Sequence, residues 1–202
     1  MTKKRTKAEE VLELARKLGV LRVREAMTQG IHPEHLRRLC QQGKLERVGR
    51  GLYRLPDADV TEHATLATVA KRFPNGVICL LSALRFHGIG TQNPREIWMA
   101  LRRGTAIPRN SDLPVRFMVF SEASFKTGVE KHVLENVRVR VTTPAKTIAD
   151  CFKYRNKVGL DVALEALRES LRQRKCTADD IWRYAKVCRT TNVMRPYLEA
   201  TL

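Results

Sequence analysis

The sequence has few acidic residues and no long apolar run. Its 202 residues include 21 Asp and Glu against 38 Lys and Arg, which gives a formal net charge of +17. No segment approaches the roughly 18 uninterrupted apolar residues of a membrane helix, and the basic start is not followed by the apolar stretch of a secretory signal. We therefore expect no membrane association, and a partner that is a polyanion, because so basic a protein attracts negative charge.

The cysteines do not form the pairs that disulfides or zinc sites require. Their number is odd, they are scattered along the chain, and no C-x-x-C pair or matched histidine spacing occurs. The five are Cys40, Cys79, Cys151, Cys176 and Cys188. The pattern predicts reduced thiols, no bound metal and a cytoplasmic location, where disulfides rarely persist.

Sequence motifs for cofactor binding and catalysis are also missing. The GIG of residues 88–90 has Asn93 where a dinucleotide fingerprint has its third glycine, and there is no P-loop. No lysine follows an acidic residue by two positions, as in a common nuclease core. Cys79 and His87 could form a nucleophile and its base, but a buried cysteine and a histidine packed before a glycine are more often structural. We expect no catalytic residue, no cofactor and no enzymatic activity.

Positive charge is present in both parts of the chain. Residues 1–60 contain 14 basic and 8 acidic residues, a net +6, and residues 61–202 contain 24 and 13, a net +11. No single amphipathic helix collects this charge, as a membrane-surface helix would. The distribution therefore favours a nucleic acid as the polyanion.

Three helical patterns open the chain. The first spans residues 7–18, with acidic residues early and basic residues late, as the helix dipole favours. A short second helix follows, with Met27 among its inward-facing residues. The third begins at Pro33, which suits the first position of a helix, and ends before Gly43.

The third helix has an outward face suited to a DNA groove. Leu36, Leu39 and Cys40 form its apolar stripe, which leaves the polar residues outside. Arginine can bond both acceptors of guanine, and glutamine can bond both groups of adenine. The predicted DNA-contacting residues of this helix are Pro33, Glu34, His35, Arg37, Arg38 and Gln41. A solvated surface helix contains the same residue types, so this helix alone does not decide between the two.

A β-hairpin with a basic tip follows the third helix. Residues 45–48 and 52–55 alternate as strands, and Gly49-Arg50-Gly51 joins them. The order of elements predicts a winged helix-turn-helix in a DNA-binding domain of residues 1–58. Arg50 would enter the minor groove or lie along phosphates, and Lys44, Arg47 and Arg54 are predicted phosphate contacts. The alternative is a winged helix that contacts protein.

The rest of the chain predicts a second domain, residues 59–202, that follows a linker at residues 56–59. Its fold class is α+β, with a mainly antiparallel sheet and flanking helices. The predicted elements are a helix at 62–73, a buried run at 77–81, strands at 97–101 and 115–120, a hairpin at 129–141 that turns at Glu135-Asn136, and four closing helices that start at Pro144. Asp150, inside the first closing helix, is expected to be a structural partner in a hydrogen bond or ion pair.

These pieces, in this order, resemble the AbiEi-type antitoxins, which are regulators in type IV toxin-antitoxin and phage-abortive systems. The similar stretches are GI at 30–31, LRRL at 36–39, GKLERVGRGLYRL at 43–55, SAL at 82–84 with HG at 87–88, and TPAKTIAD at 143–150. They span nearly the whole chain, and the first three are the more specific. One departure is Leu21-Arg22, where relatives often have a hydroxyl or small residue that caps the second helix.

The resemblance implies a bacterial two-domain regulator. Its winged helix would bind inverted repeats of double-stranded DNA in its own promoter and repress an operon shared with a nucleotidyltransferase-like toxin. The C-terminal domain would carry the antitoxin activity and support cooperative DNA binding. Two other functions remain open from the residues: a stand-alone winged-helix transcription factor with a ligand-sensing C-terminal domain, and a DNA-targeted nuclease.

Overall fold

The computed structural model describes residues 6–56, 63–108 and 111–201. The chain divides into two compact units, one of Met1–Pro74 with Val133–Val139 and the other of Asn75–His132 with Arg140–Leu202. The predicted boundary between residues 58 and 59, and the predicted linker from residue 57 on, lie outside the described residues. Within the described ranges, no helix combines the length and the apolar character needed to cross a membrane.

The first unit contains three helices, a small sheet and a fourth helix. In chain order they are α1 (Lys7–Leu18), β1 (Leu21–Arg22), α2 (Val23–Thr28), α3 (Pro33–Gln41), β2 (Glu46–Gly49), β3 (Leu52–Arg54) and α4 (Ala64–Arg72). Strand β3 is central, with β1 and β2 antiparallel on either side of it. The predicted three helices and hairpin are therefore present, and β1 is an addition that the sequence did not indicate.

A shared apolar core joins the elements of the first unit. Thr6 starts α1 with a capping box, in which its hydroxyl accepts from the backbone N–H of Glu9 at 3.2 Å and its own N–H donates to the Glu9 carboxylate at 2.9 Å. The buried residues are Val11, Ala15, Leu21, Ala26, Ile31, Leu36, Leu39 and Leu45. Met27 was expected to face inward but is 56% exposed. Since Ala26 points to the core, the next residue lies about 100° further round the helix and meets solvent.

Strand β1 explains how α2 can begin directly after Leu21-Arg22 without a small capping residue. Leu21 and Arg22 pair with Tyr53 and Leu52 of β3, so they are extended. The backbone N–H of Arg22 then donates to the Glu25 carboxylate at 2.9 Å, which caps the helix from its first turn.

The second unit is built on a five-stranded sheet with helices. Its elements are β4 (Val77–Ile78), α5 (Leu80–His87), β5 (Ile97–Arg102), β6 (Val115–Phe120), α6 (Glu122–Lys126), β7 (Val129–Leu134), β8 (Val137–Thr142), α7 (Pro144–Lys153), α8 (Arg155–Val158), α9 (Leu160–Arg172), α10 (Ala178–Cys188) and α11 (Thr191–Glu199). The tip of the β7–β8 hairpin, residues 133–139, groups with the first unit. Glu135 and Asn136 turn this hairpin with φ of 47° and 61°, which confirms the predicted turn.

The five-stranded sheet is mixed, which corrects the expectation of a mainly antiparallel sheet. The strand order is β6-β5-β4-β8-β7. Strands β5 and β6 are parallel, as are β4 and β8, whereas β4 and β5 are antiparallel. Alternation of side chains predicts that a segment is a strand but carries no information on its direction. Residues 103–114, between β5 and β6, are long enough for the crossover that parallel neighbours require.

A charged pair lies in the core of the second unit. Lys146 and Asp150, one turn apart on α7, are both 0% exposed, and their side chains form an ion pair. The Lys146 ammonium also donates to the Ser124 hydroxyl at 3.2 Å and lies 5.0 Å from the centre of the Phe120 ring, while the Cys188 thiol donates to Asp150 at 3.2 Å. Burial raises the pKa of Asp150, although Lys146 acts in the opposite direction. Asp150 is thus a structural partner, as predicted.

We expect Asp150→Ala to lower the free energy of unfolding by about 3–5 kcal/mol, because it leaves the Lys146 charge buried without a partner. Urea denaturation of the full chain measures this. The double variant Lys146→Met with Asp150→Leu should recover most of the loss, since it removes both charges and keeps the volume.

The matched control is an exposed pair of the same spacing. Glu122 and Lys126 on α6 are 2.7 Å apart with side chains 50% and 71% exposed. Because solvent screens such a pair, Glu122→Ala should cost much less than Asp150→Ala. Equal losses for the two variants would contradict the assigned role of the buried pair.

Candidate nucleic-acid interface

Helix α3 is fixed at its start and along one face. His32 caps it, because its Nδ1 accepts from the backbone N–H of Glu34 at 3.2 Å, and Pro33 occupies the first turn as predicted. Leu36 and Leu39 are 0% and 2% exposed in the core of the first unit. The helix is therefore held in one rotation about its axis.

This rotation places the predicted reading residues at the surface. The side chains of Arg37 and Arg38 are 62% and 66% exposed. Gln41 is exposed as well, while Pro33 and His35 are half-buried. The structure thus brings arginine and glutamine, two side chains able to bond base edges in pairs, to one outward face.

Glu34 ties the two arginines of this face together. The Nε and Nη2 atoms of Arg37 donate to separate oxygens of the Glu34 carboxylate, at 2.8 and 2.6 Å, and the Nε of Arg38 donates to one of them at 3.3 Å. The hydrogen bonds from Arg37 are the main reason why the pKa of Glu34 falls to about 2. The sequence alone presents the three residues as separate contacts. Their spacing of three and four residues was the available signal for the pairing.

The hairpin after α3 has an exposed, basic turn. The pairing of β2 with β3 shifts between Arg47 and Gly49, an irregularity of the kind that bends and twists a hairpin. Gly51 has a φ of +71°, which favours glycine at the turn. Arg50 is exposed there, and the exposed Arg47 donates from Nε to the Gly49 carbonyl at 3.3 Å.

The predicted phosphate contacts differ in how accessible they are. Lys44, directly after Gly43, is exposed, as are Arg47 and Arg50. The Arg54 side chain is only 18% exposed and forms an ion pair with Glu46 across the hairpin. A phosphate contact by Arg54 would require this pair to open.

A second group of cations in the first unit was missed by the sequence analysis. Burial, together with the nearby charges of Arg72 and Arg24, lowers the pKa of Arg22, and Glu25 acts in the opposite direction. Arg24 and Arg72 are exposed. The arginines of α2 were visible in the sequence, but the approach of Arg72 from α4 was not, because the two helices are far apart along the chain.

The two candidate catalytic residues, Cys79 and His87, have the environments of structural residues. Cys79 is fully buried, and burial raises the pKa of its thiol well above the ordinary value. The Nε2 of His87 hydrogen-bonds to the Thr142 carbonyl at 2.7 Å, so this nitrogen is the donor. Among the residues the structure describes, no group of three or more His, Cys, Asp or Glu is arranged to hold a metal ion.

Comparison with known families shows the class of protein to which the first segment corresponds. Residues 9–56 match the model of a family of transcriptional regulators, the AbiEi antitoxins. The match begins within α1, ends after β3 and includes the polar face of α3. It confirms the resemblance of this segment to AbiEi antitoxin regulators, and the motifs at 82–88 and 143–150 lie outside the matched residues.

The fold of the whole chain is similar to a solved structure. The crystal structure of the RV2827C protein from Mycobacterium tuberculosis aligns with a TM-score of 0.62 and 13% identity, over 98% of this chain and 81% of that one. At this identity the likeness shows a shared fold alone. No curated protein sequence matches the chain significantly.

We expect Arg50→Ala to weaken binding to all duplexes by a similar factor and to reduce the slope of log affinity against log salt by about 0.9, as for one lost phosphate contact. Fluorescence anisotropy with a labelled duplex over a salt series measures both.

Lys17→Ala makes the same change of charge on α1, which packs against the buried face of α3, and should leave the slope unchanged. An unaltered affinity of Arg50→Ala would remove the hairpin tip from the interface.

Proposed function

We propose that the chain is a DNA-binding transcriptional autorepressor and an antitoxin, with a winged helix-turn-helix in residues 1–58. The single observation that carries the DNA-binding role is the outward face of α3, where exposed Arg37, Arg38 and Gln41 lie on a helix whose rotation the core fixes. The match of residues 9–56 to a family of transcriptional regulators supports it.

In this proposal each part of the first unit has a separate task. Helix α3 enters the major groove of an operator with inverted repeats, where Arg38 and Gln41 bond base edges and specify sequence. Arg50 at the hairpin tip, with Lys44 and Arg47, binds the phosphates or the minor groove. These contacts add affinity and salt dependence without reading bases.

The antitoxin role is assigned to residues 59–202, and the toxin to the nucleotidyltransferase-like class. The description of the matched family supports antitoxin activity, and the resemblance of the later motifs supports the class of toxin. The chain would act by binding, without catalysis or cofactor. A cytoplasmic location agrees with its five free cysteines.

Arg38→Ala should relax sequence preference at one base pair and cost about 1–3 kcal/mol there, as expected for the loss of a two-bond contact to a base. The wild-type chain first enriches a duplex from a random-sequence library. Affinities for that duplex and for its single-base-pair variants are then compared between the two proteins.

Two results would count against this assignment. An equal loss on the enriched and on an unrelated duplex would make Arg38 a phosphate contact. Wild-type affinity that stays flat between low and moderate salt would contradict DNA binding itself, because released counterions make such binding steeply salt-dependent.

Arg38→Ala should also separate repression from antitoxicity. We expect the full-length variant to protect cells that express the toxin encoded beside it, and to lose repression of a reporter under the operon's promoter, because the two activities belong to different domains. Growth and reporter output are measured at matched protein levels, with wild type as control. Loss of both activities in soluble protein would refute the division.

A further inference from the structure

On the basis of the proposed function, we infer that Glu34 is the positioning residue of the DNA-reading helix. It holds Arg37 so that the Nη1–Nη2 edge of the guanidinium can bond guanine, and its negative charge weakens binding to DNA of unrelated sequence. Glu34 then acts through Arg37 and is not itself a contact to a base.

The hydrogen bonds define which edge of Arg37 is occupied. A guanidinium has five N–H donors in a rigid plane. Two of them, on the Nε–Nη2 edge, bond the two oxygens of Glu34 at 2.8 and 2.6 Å, which is the strong, two-bond geometry of arginine and carboxylate. Three donors remain, two of which lie on the Nη1–Nη2 edge, and the side chain is 62% exposed. That edge can still bond the O6 and N7 acceptors of one guanine.

Fixing Arg37 in this way lowers the cost of binding. A long side chain that is ordered only on binding loses rotamer freedom. An arginine already held by a carboxylate therefore loses less conformational entropy when it binds. Arg38 is held by Glu34 less firmly. Its one bond to Glu34, at 3.3 Å, is longer than a typical bond between charged groups, and its side chain is 66% exposed. Arg38 can leave Glu34 at little cost, whereas Arg37 is bound by both carboxylate oxygens.

Glu34 affects specificity through its negative charge as well as through the geometry of the Arg37 side chain. It is the only carboxylate of α3, among the exposed cations of the proposed interface. On unrelated DNA the arginines would turn to phosphates, which requires them to leave Glu34 and brings a carboxylate close to the negative backbone. On the operator, Arg37 bonds guanine without leaving Glu34. Since specificity is a difference of affinities, this residue should raise it by penalising the wrong complexes.

The test replaces Glu34 and a matched carboxylate. Glu10 on α1 pairs with Lys7 at the same spacing of three residues, at 2.7 Å, and its side chain is 35% exposed, as is that of Glu34. Glu34→Gln and Glu10→Gln therefore make the same change of charge in the same kind of surface pair. The probes are the duplex that wild type enriches from a random library and a scrambled duplex of the same composition.

We expect Glu34→Gln to bind the scrambled duplex more tightly and to steepen its salt slope by up to about 1.8, as for two more phosphate contacts. The ratio of affinities for enriched and scrambled duplex should fall about tenfold, within the range that one two-bond base contact supplies. Glu10→Gln should leave the ratio and the slope at their wild-type values. In an Arg37→Ala background, Glu34→Gln should lower the ratio by a clearly smaller factor, because the positioning of Arg37 is already lost and only the effect of the Glu34 charge remains.

The contradicting outcomes are distinct. An unchanged ratio in Glu34→Gln, or equal gains in affinity on both duplexes, overturns the positioning role. The role is also overturned if Glu34→Gln lowers the ratio by the same factor in the Arg37→Ala background as in the wild-type background. If wild type enriches no duplex at all, the proposed DNA-binding function fails first, and the inference fails with it. Thermal unfolding of each variant shows that the fold is retained.

Discussion

The candidate interface depends on the burial of Leu36 and Leu39. Both side chains are almost wholly excluded from solvent, in a core shared with Val11 and Ala15 of α1. With 3.6 residues per turn, a helix that buries positions 36 and 39 has its positions 34, 37, 38 and 41 on the other side. Each leucine contributes about 1.5–3 kcal/mol by its burial. Apolar packing is therefore the main determinant of which side chains α3 presents to a partner.

Positive charge alone does not distinguish one polyanion from another. The few carboxylates add selectivity, because they determine which cations are held in place and which are accessible. Glu34 lies on the outer face of α3, bonded to two arginines. Glu46 bonds Arg54 and withdraws it from solvent, whereas Glu25 both caps α2 and bonds Lys71 at 2.7 Å. Each carboxylate fixes or removes a cation, so the cations left at the surface are a selected subset of a chain with net charge +17.

The second unit shows how a basic chain keeps charge inside its core. The Lys146 ammonium is bonded to Asp150 and Ser124, and the second oxygen of Asp150 accepts from Cys188. In the described ranges, every buried side-chain nitrogen or oxygen has a hydrogen-bond partner. A buried pair of this kind is costly to desolvate, and here groups on α7, α6 and α10 satisfy it with hydrogen bonds. This core lies in the proposed antitoxin domain.

The sequence by itself determined the features that depend on neighbours along the chain. Periodicity, capping residues and glycines located α1, α3, the β2–β3 hairpin and the turn at Glu135-Asn136, and they put Arg37, Arg38 and Gln41 on one outer face. Only the tertiary structure decided the features that join distant segments. These are the pairing of β1 with β3, the parallel strands of the second sheet, the approach of Arg72 to Arg22, and the withdrawal of Arg54 by Glu46. The physical reason is that local patterns fix the conformation of a segment, whereas strand direction and ion pairing are chosen by packing between segments.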